Sequence, residues 1–110
     1  IDSTYASIYF KVNVGIDSTE CKQALNILYK CCTDDKRKAI HFSNYAKCVL
    51  EYAEKHSDDK ENILDYIEGA LMFVREGLDA ENISLQTKNK WELKKLKAAL
   101  KELKAKYPIN

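Results

Sequence analysis

The sequence predicts an all-α protein, an antiparallel four-helix bundle with a short N-terminal helix, stabilised by disulfide bonds. Only three Gly and one Pro occur among 110 residues, too few for the turns that a sheet protein needs. Apolar residues recur every three or four positions along the chain, which is the spacing of one helix face. Four cysteines in so short a chain are typical of disulfide bonds formed in an oxidising compartment. We expect residues 1–110 to form one domain.

The first fifteen residues fit two patterns. Apolar residues alternate from Ile8 to Val14, as in a strand, whereas Tyr5, Ile8, Tyr9 and Val12 follow a helical stripe. The rest of the chain offers no second strand to pair with, and a lone strand is not stable. We therefore predict a short helix that ends near Gly15, with the glycine as its left-handed cap.

The next two helices are predicted over 17–32 and 35–55, joined by a turn at 33–35. Asp17-Ser-Thr-Glu20 has the form of a capping box at the start of the first of them. The residues expected to face inward are Cys21, Ala24, Leu25, Leu28 and Cys32, followed by Phe42, Ala46, Val49 and Ala53. The short connection makes the two helices antiparallel neighbours.

Two further helices complete the predicted bundle. A second capping box at Asp58…Glu61 opens the third long helix, Gly77 is expected to end it, and a polar loop at 79–84 follows. Its inward residues are Ile63, Leu64, Ile67, Ala70, Leu71 and Val74. The last helix has an a/d seam of Leu93, Leu96, Leu100, Leu103 and Tyr107 and is expected to end at Pro108.

Cys21, Cys31, Cys32 and Cys48 are predicted to form two disulfide bonds, and four buried thiols in the cytosol are the alternative. Their spacing lacks the C-x2-C pairs of a zinc site and of a redox motif. With continuous helices, Cys21–Cys48 is the one long-range pair that comes within bonding reach, which leaves two adjacent cysteines. The other two pairings each need a helix broken near the Cys31-Cys32 doublet, so the connectivity stays open.

No catalytic, metal or cofactor motif occurs, and we expect a protein that is not an enzyme and that needs no cofactor. His41 and His56 lie about four helical turns apart, too far to share a metal ion. We expect His56 to complement a helix dipole. Tyr29, Tyr45, Tyr52 and Tyr66 are expected to line the bundle with their hydroxyls at its rim.

The C-terminal segment is strongly basic. Residues 88–106 hold eight Lys and two Glu, although the whole chain has a formal net charge of +1. Five of these lysines follow one helix face as a candidate binding face: Lys90, Lys94, Lys97, Lys101 and Lys104. Like charges at this spacing repel. The face is predicted either to meet an acidic stripe of the preceding helix (Asp58, Glu61, Asp65 and Glu68) or to bind an acidic protein patch or a sulfated glycan.

Four features of the chain are typical of one family: its cysteine arrangement, its length, its four long helices and its lysine-rich end at Lys106-Tyr107-Pro108. In these features the chain resembles the anophensin- and albicin-like small salivary proteins of anopheline mosquitoes. The resemblance covers nearly the whole chain. It implies a protein of blood feeding that inhibits the alternative complement pathway by binding the C3 convertase. It also implies contact (kallikrein–kinin) inhibition in at least one member. No binding residues come with the resemblance.

We therefore predict a secreted salivary inhibitor whose partner is a host plasma protein complex, the C3 convertase above all. The alternatives are an inhibitor of contact (kallikrein–kinin) activation, a glycan-binding anticoagulant and a small-ligand carrier. Asn82-Ile83-Ser84 is a possible glycosylation site, which fits secretion. The start at Ile1 without a visible signal peptide fits the expectation of a processed mature protein. We expect no nucleic-acid partner, because the net charge is near zero, and no membrane partner, because no apolar run is long enough.

Overall fold

A computed structural model describes residues 3–34, 39–79 and 87–107, and within these ranges the protein is all-α, with no strand. Its five helices are α1 (Ser3–Asn13), α2 (Ser18–Asp34), α3 (Ala39–Lys55), α4 (Lys60–Asp79) and α5 (Thr87–Ala105). The predicted helices are all present, with ends shifted by a few residues. Thr33 and Asp34, expected in a turn, lie in the last turn of α2.

Helix α3 is the centre of the fold, because it packs against each of the other four helices. Ten of its seventeen residues are buried, and they include the large side chains of Phe42, Tyr45 and Tyr52. One continuous hydrophobic core joins residues of all five helices. Burial of this apolar surface is the main source of stability, so the described residues behave as one packing unit.

Helix α1 packs on α2 and α3 through a face that the sequence pattern did not single out. Its buried residues are Ser3, Ala6 and Phe10, whereas the predicted stripe of Tyr5, Ile8 and Val12 lies on the exposed side. The short side chains of Ser3 and Ala6 let the helix approach closely, and Phe10 fills the core.

Two histidines hold the ends of the N-terminal segment against α3. His41 lies in α3, and His56 follows directly after its last residue. Ser3 Oγ lies 2.5 Å from His41 Nδ1, and it accepts a hydrogen bond from Asn44 Nδ2 at 3.0 Å. After α1, the carbonyl oxygen of Val14 lies 2.8 Å from His56 Nε2. A carbonyl oxygen can only accept, so His56 Nε2 carries a hydrogen and donates this hydrogen bond to Val14.

Two glycine predictions were wrong. No glycine of the chain has a positive φ, so Gly15 is not a left-handed cap. Gly77 does not end α4 but lies buried within it, where a β-carbon would be 2.8 Å from Leu93 Cδ1 and 3.0 Å from Phe42 Cδ2. The missing side chain therefore allows α5 and α3 to approach α4 closely.

The helix starts agree in part with the predicted capping boxes. Asp17 Oδ1 accepts hydrogen bonds from the backbone N–H groups of Thr19 at 3.0 Å and Glu20 at 3.3 Å, which confirms Asp17 as the N-cap of α2. Before α4, the capping position is Asp59 and not Asp58, since the Asp59 carbonyl accepts the hydrogen bond from Ile63 N at 3.0 Å. The prediction was wrong by one residue.

The Asp59 carboxylate also joins three helices at this corner. It accepts a hydrogen bond from the Tyr52 hydroxyl at 2.5 Å and contacts Lys22 Nζ at 3.4 Å. It accepts a further bond from Asn62 Nδ2 at 3.0 Å. The hydrogen bond from Tyr52 is the main reason that the pKa of Asp59 lies below its usual value.

None of the described helices is long and apolar enough to cross a membrane.

Candidate functional site

The four cysteines lie within the described residues, and the structure joins none of them by a disulfide bond. Helix α2 runs unbroken through Cys31 and Cys32, so neither pairing that requires a broken helix is present. The Cys32 thiol lies 3.3 Å from the His41 carbonyl oxygen, and the Cys21 thiol lies 3.8 Å from the Phe10 carbonyl oxygen. The described helices pack together through one hydrophobic core.

Burial controls the chemistry of these thiols. It raises the pKa of Cys32 and of Cys48 to about 12, and it also raises the pKa of Cys21. A thiolate is the reactive form, so at neutral pH these three cysteines are poor nucleophiles. Cys48 lies in α3 and Cys21 in α2, two helices in direct contact.

The lysine face of α5, defined as Lys90, Lys94, Lys97, Lys101 and Lys104, lies beside the buried leucine seam. Leu93, Leu96 and Leu100 of that seam are buried, as predicted, and Leu103 and Tyr107 are half-buried. The structure thus places the five lysines together along one side of α5.

Only one lysine of this face pairs with the predicted acidic stripe of α4. Lys104 Nζ lies 2.6 Å from Glu68 Oε1. Within the part of the chain that the structure describes, no carboxylate comes within ion-pair distance of Lys90, Lys94, Lys97 or Lys101. The internal counter-charge therefore covers one end of the lysine face and leaves the rest open.

A second ion pair fixes the opposite side of α5. Lys47 of α3 contacts Glu92 Oε1. Because Glu92 pairs with Lys47, it does not neutralise the lysine face. Beside it, Lys95 Nζ lies 4.4 Å from the ring centre of the exposed Trp91. A cation–π contact at an exposed site contributes up to about 1 kcal/mol.

The possible glycosylation site at Asn82 lies outside the described residues.

An open cleft of about 1040 Å³ lies between α2 and α4, with Tyr45 of α3 in its lining. We call it the tyrosine cleft, because Tyr29, Tyr45 and Tyr66 line it. The remaining lining residues are Asn26, Asp65, Glu68, Gly69, Met72, Arg75, Glu76 and Asp79. The cleft is not visible in the sequence, since its formation depends on how far apart α2 and α4 lie on α3.

Aromatic packing fixes the floor of the tyrosine cleft. The Tyr29 and Tyr45 rings meet edge to face, with centres 5.8 Å apart, and both pack on Phe73. Tyr66 packs edge to face on Tyr52, with ring centres 5.6 Å apart. These contacts leave the rings few alternative positions, so the walls of the cleft are already arranged before any ligand binds.

Helix α1 carries an exposed apolar face that faces away from the core. Its members are Tyr5, Ile8, Tyr9 and Val12, continued by Ile16 beyond the helix end. The Tyr9 hydroxyl donates a hydrogen bond to Glu20 of α2, which fixes that ring against the neighbouring helix. The residues were visible in the sequence as a helical stripe, but the direction of the stripe was not.

His41 contacts Ser3 and His56 contacts the Val14 carbonyl, so both histidines have structural contacts. Among the described residues, no group of three or more His, Cys, Asp or Glu side chains is placed to hold a metal ion. Tyr45 and Tyr52, expected at the rim, are instead almost fully buried, at 2% and 1% exposure.

The chain matches no protein-family model, no curated protein and no solved structure.

Proposed function

We propose that this protein is a secreted salivary inhibitor that binds a host plasma protein complex, the C3 convertase of the alternative complement pathway. The observation that carries the proposal is the open lysine face of α5. Lys90, Lys94 and Lys101 are exposed and Lys97 is half-buried, and none of them has an ion-pair partner among the described residues. The choice of the convertase comes from the resemblance to the salivary family.

The lysine face supports protein binding on electrostatic grounds. From Lys90 to Lys101 the face extends about 16 Å along the helix. Four ammonium groups on this length repel one another, and an acidic partner surface relieves that repulsion. Opposite charge on the two partners also accelerates association, with an effect that salt weakens. Inhibition then follows from covering a surface that the convertase needs, without a chemical step.

In the proposed protein, helices α2 to α5 form an antiparallel bundle. The protein matures in an oxidising compartment, where Cys21 and Cys48 form a disulfide bond. Support for the pair is that both cysteines are buried on helices that pack together. Closing a loop of this size contributes about 3 kcal/mol in the chain-entropy model. Peptide mapping without reduction, after alkylation of free thiols, tests the pair: an unmodified Cys48 joined to Cys21 supports it, and alkylation of both contradicts it.

An alternative-pathway haemolysis assay tests the function. The wild-type protein is expected to inhibit lysis at micromolar concentration. The double variant Lys94→Glu/Lys101→Glu is expected to need at least about tenfold more protein for the same inhibition, since each contributes about 1 kcal/mol to an interface of opposite charge. The control is Lys30→Glu/Lys60→Glu, which changes the net charge equally at two exposed lysines outside α5.

Two results would contradict the proposal. Absence of inhibition by the wild-type protein at micromolar concentration excludes the complement pathway as the target. Equal potency of the α5 variant and the control variant excludes the lysine face as the binding surface.

A sulfated glycan is a second candidate partner, because the same unpaired lysines repeat along one helix side. Heparin chromatography separates the two. Elution well above physiological salt, and earlier elution of Lys94→Glu/Lys101→Glu than of the control, favours a glycan. Elution of the wild-type protein near physiological salt excludes it.

A further inference from the structure

We propose that the tyrosine cleft is a binding site for an organic cation, an ammonium or guanidinium group carried on an apolar body. This site meets the lysine face only at the Lys104–Glu68 ion pair and has the opposite charge. The inference does not depend on the complement proposal, since it rests on the residues of α2, α3 and α4 alone.

The first observation is the buried hydroxyl of Tyr45. Its side chain is 2% exposed, yet it contributes to the lining of the cleft. Among the described residues this hydroxyl has no hydrogen-bond partner, whereas the equally buried Tyr52 donates to Asp59. Its oxygen can accept a hydrogen bond from a ligand N–H group, and the packing of the ring against Tyr29 and Phe73 already fixes its position.

Gly69 of α4 makes room for that hydroxyl. A β-carbon at Gly69 would lie 3.4 Å from the Tyr45 oxygen and 3.4 Å from Tyr29 Cε2. The absent side chain leaves the floor of the cleft open above two aromatic rings. The face of an aromatic ring attracts a cation, whereas its edge does not, and a desolvated cation–face pair contributes up to about 2 kcal/mol.

The second observation is the charge of the rim. Four carboxylates and one guanidinium line the cleft, which makes it net negative. Glu68 is partly neutralised by Lys104, but Asp65, Glu76 and Asp79 have no ion pair within the described part of the chain. Asp65 is close enough to Tyr45 and Tyr66 to add to the pKa increase that burial causes in both phenols. Carboxylates over tyrosine rings select a cation against an anion.

The volume and shape define the rest of the ligand. At about 1040 Å³ the cleft lies at the upper end of the range for small-molecule sites. Met72 and the tyrosine rings supply apolar surface, so an aliphatic or aromatic body next to the cation is favoured. A free amine and a lysine or arginine side chain of a peptide share this chemistry.

Isothermal titration with three matched probes tests the charge preference. They are phenethylammonium, the neutral 2-phenylethanol and the anionic 3-phenylpropanoate, which have the same ring and nearly the same length. We expect phenethylammonium to bind with a Kd at or below about 1 mM and at least about fivefold more tightly than the alcohol. Equal binding of all three, or no saturable binding of the cation, overturns the inference.

Two variants locate the site. Asp65→Asn removes one rim charge and Tyr45→Phe removes only the hydroxyl, and each is expected to weaken phenethylammonium binding about two- to fivefold. The matched control is Asp58→Asn, at an exposed carboxylate outside the cleft, which should leave the Kd unchanged. Shifts of the Gly69 amide signal in a two-dimensional NMR titration provide a readout that does not depend on the variants. Unchanged Gly69 signals at saturation place the ligand elsewhere and overturn the inference.

Acetyl-phenylalanyl-lysine amide distinguishes the two sources of the cation. Tighter binding of the dipeptide than of phenethylammonium identifies a protein segment as the natural ligand, and weaker binding identifies a free amine. Because Lys94→Glu/Lys101→Glu leaves the cleft intact, this variant should bind phenethylammonium normally even where complement inhibition is lost or was never present.

Discussion

Replacement of Asp59 by alanine is expected to lower the free energy of unfolding by about 3 kcal/mol. The hydrogen bond from Tyr52 to the carboxylate contributes about 1.5–3 kcal/mol, since its acceptor is charged and its donor is buried. The pair with the half-exposed Lys22 adds about 0.2–1 kcal/mol. A carboxylate at the start of α4 adds about 0.3–1 kcal/mol through the helix dipole.

A double-mutant cycle isolates the largest of these contributions. Asp59→Ala, Tyr52→Phe and the double variant are unfolded in urea, and the coupling energy of the pair is expected to be about 1.5 kcal/mol or more. Asp58→Ala, one residue away, is the control and should stay within about 0.5 kcal/mol of wild type. A coupling energy below about 0.5 kcal/mol would refute the role given to this hydrogen bond.

Three further predictions concern stability and reactivity. Because the folded-state pKa of Asp59 is lowered, its contribution is present above the ordinary value of 3.8 and lost as pH falls through the folded value, so an Asp59→Asn variant should approach wild-type stability in acid; a difference that persists there contradicts this. Phe10→Ala should cost about 3–5 kcal/mol by emptying the contact between α1 and the core, as urea unfolding would show, and a loss below about 1 kcal/mol would contradict the packing described. In reduced protein at pH 8, Cys32 and Cys48 should resist a thiol reagent until unfolding, since burial raises the pKa of each to about 12; rapid labelling of either in the native state would contradict their burial.

Much of the helical architecture follows from the sequence. The spacing of Leu93, Leu96 and Leu100 predicted the buried seam of α5, and Asp17 predicted the start of α2. These features depend on local pattern and capping, which a single sequence contains. The lysine face follows for the same reason, because its position beside the seam is fixed by the helical period.

Features that depend on the relative placement of helices could not be predicted. The direction of the α1 stripe depends on Phe10 fitting between α2 and α3, and the role of Gly77 depends on how closely α5 approaches. The tyrosine cleft depends on the separation of α2 and α4 along α3. A glycine such as Gly69 signals a close approach only once its neighbours are known.

Surface plasmon resonance with the assembled alternative-pathway C3 convertase tests the central claim most directly. The wild-type protein and the control Lys30→Glu/Lys60→Glu should bind with equal affinity, weakened by salt. Lys94→Glu/Lys101→Glu should bind at least about tenfold more weakly, mainly through a slower association rate. Equal binding of all three proteins, with no effect of salt, would show that the lysine face of α5 is not the surface that binds.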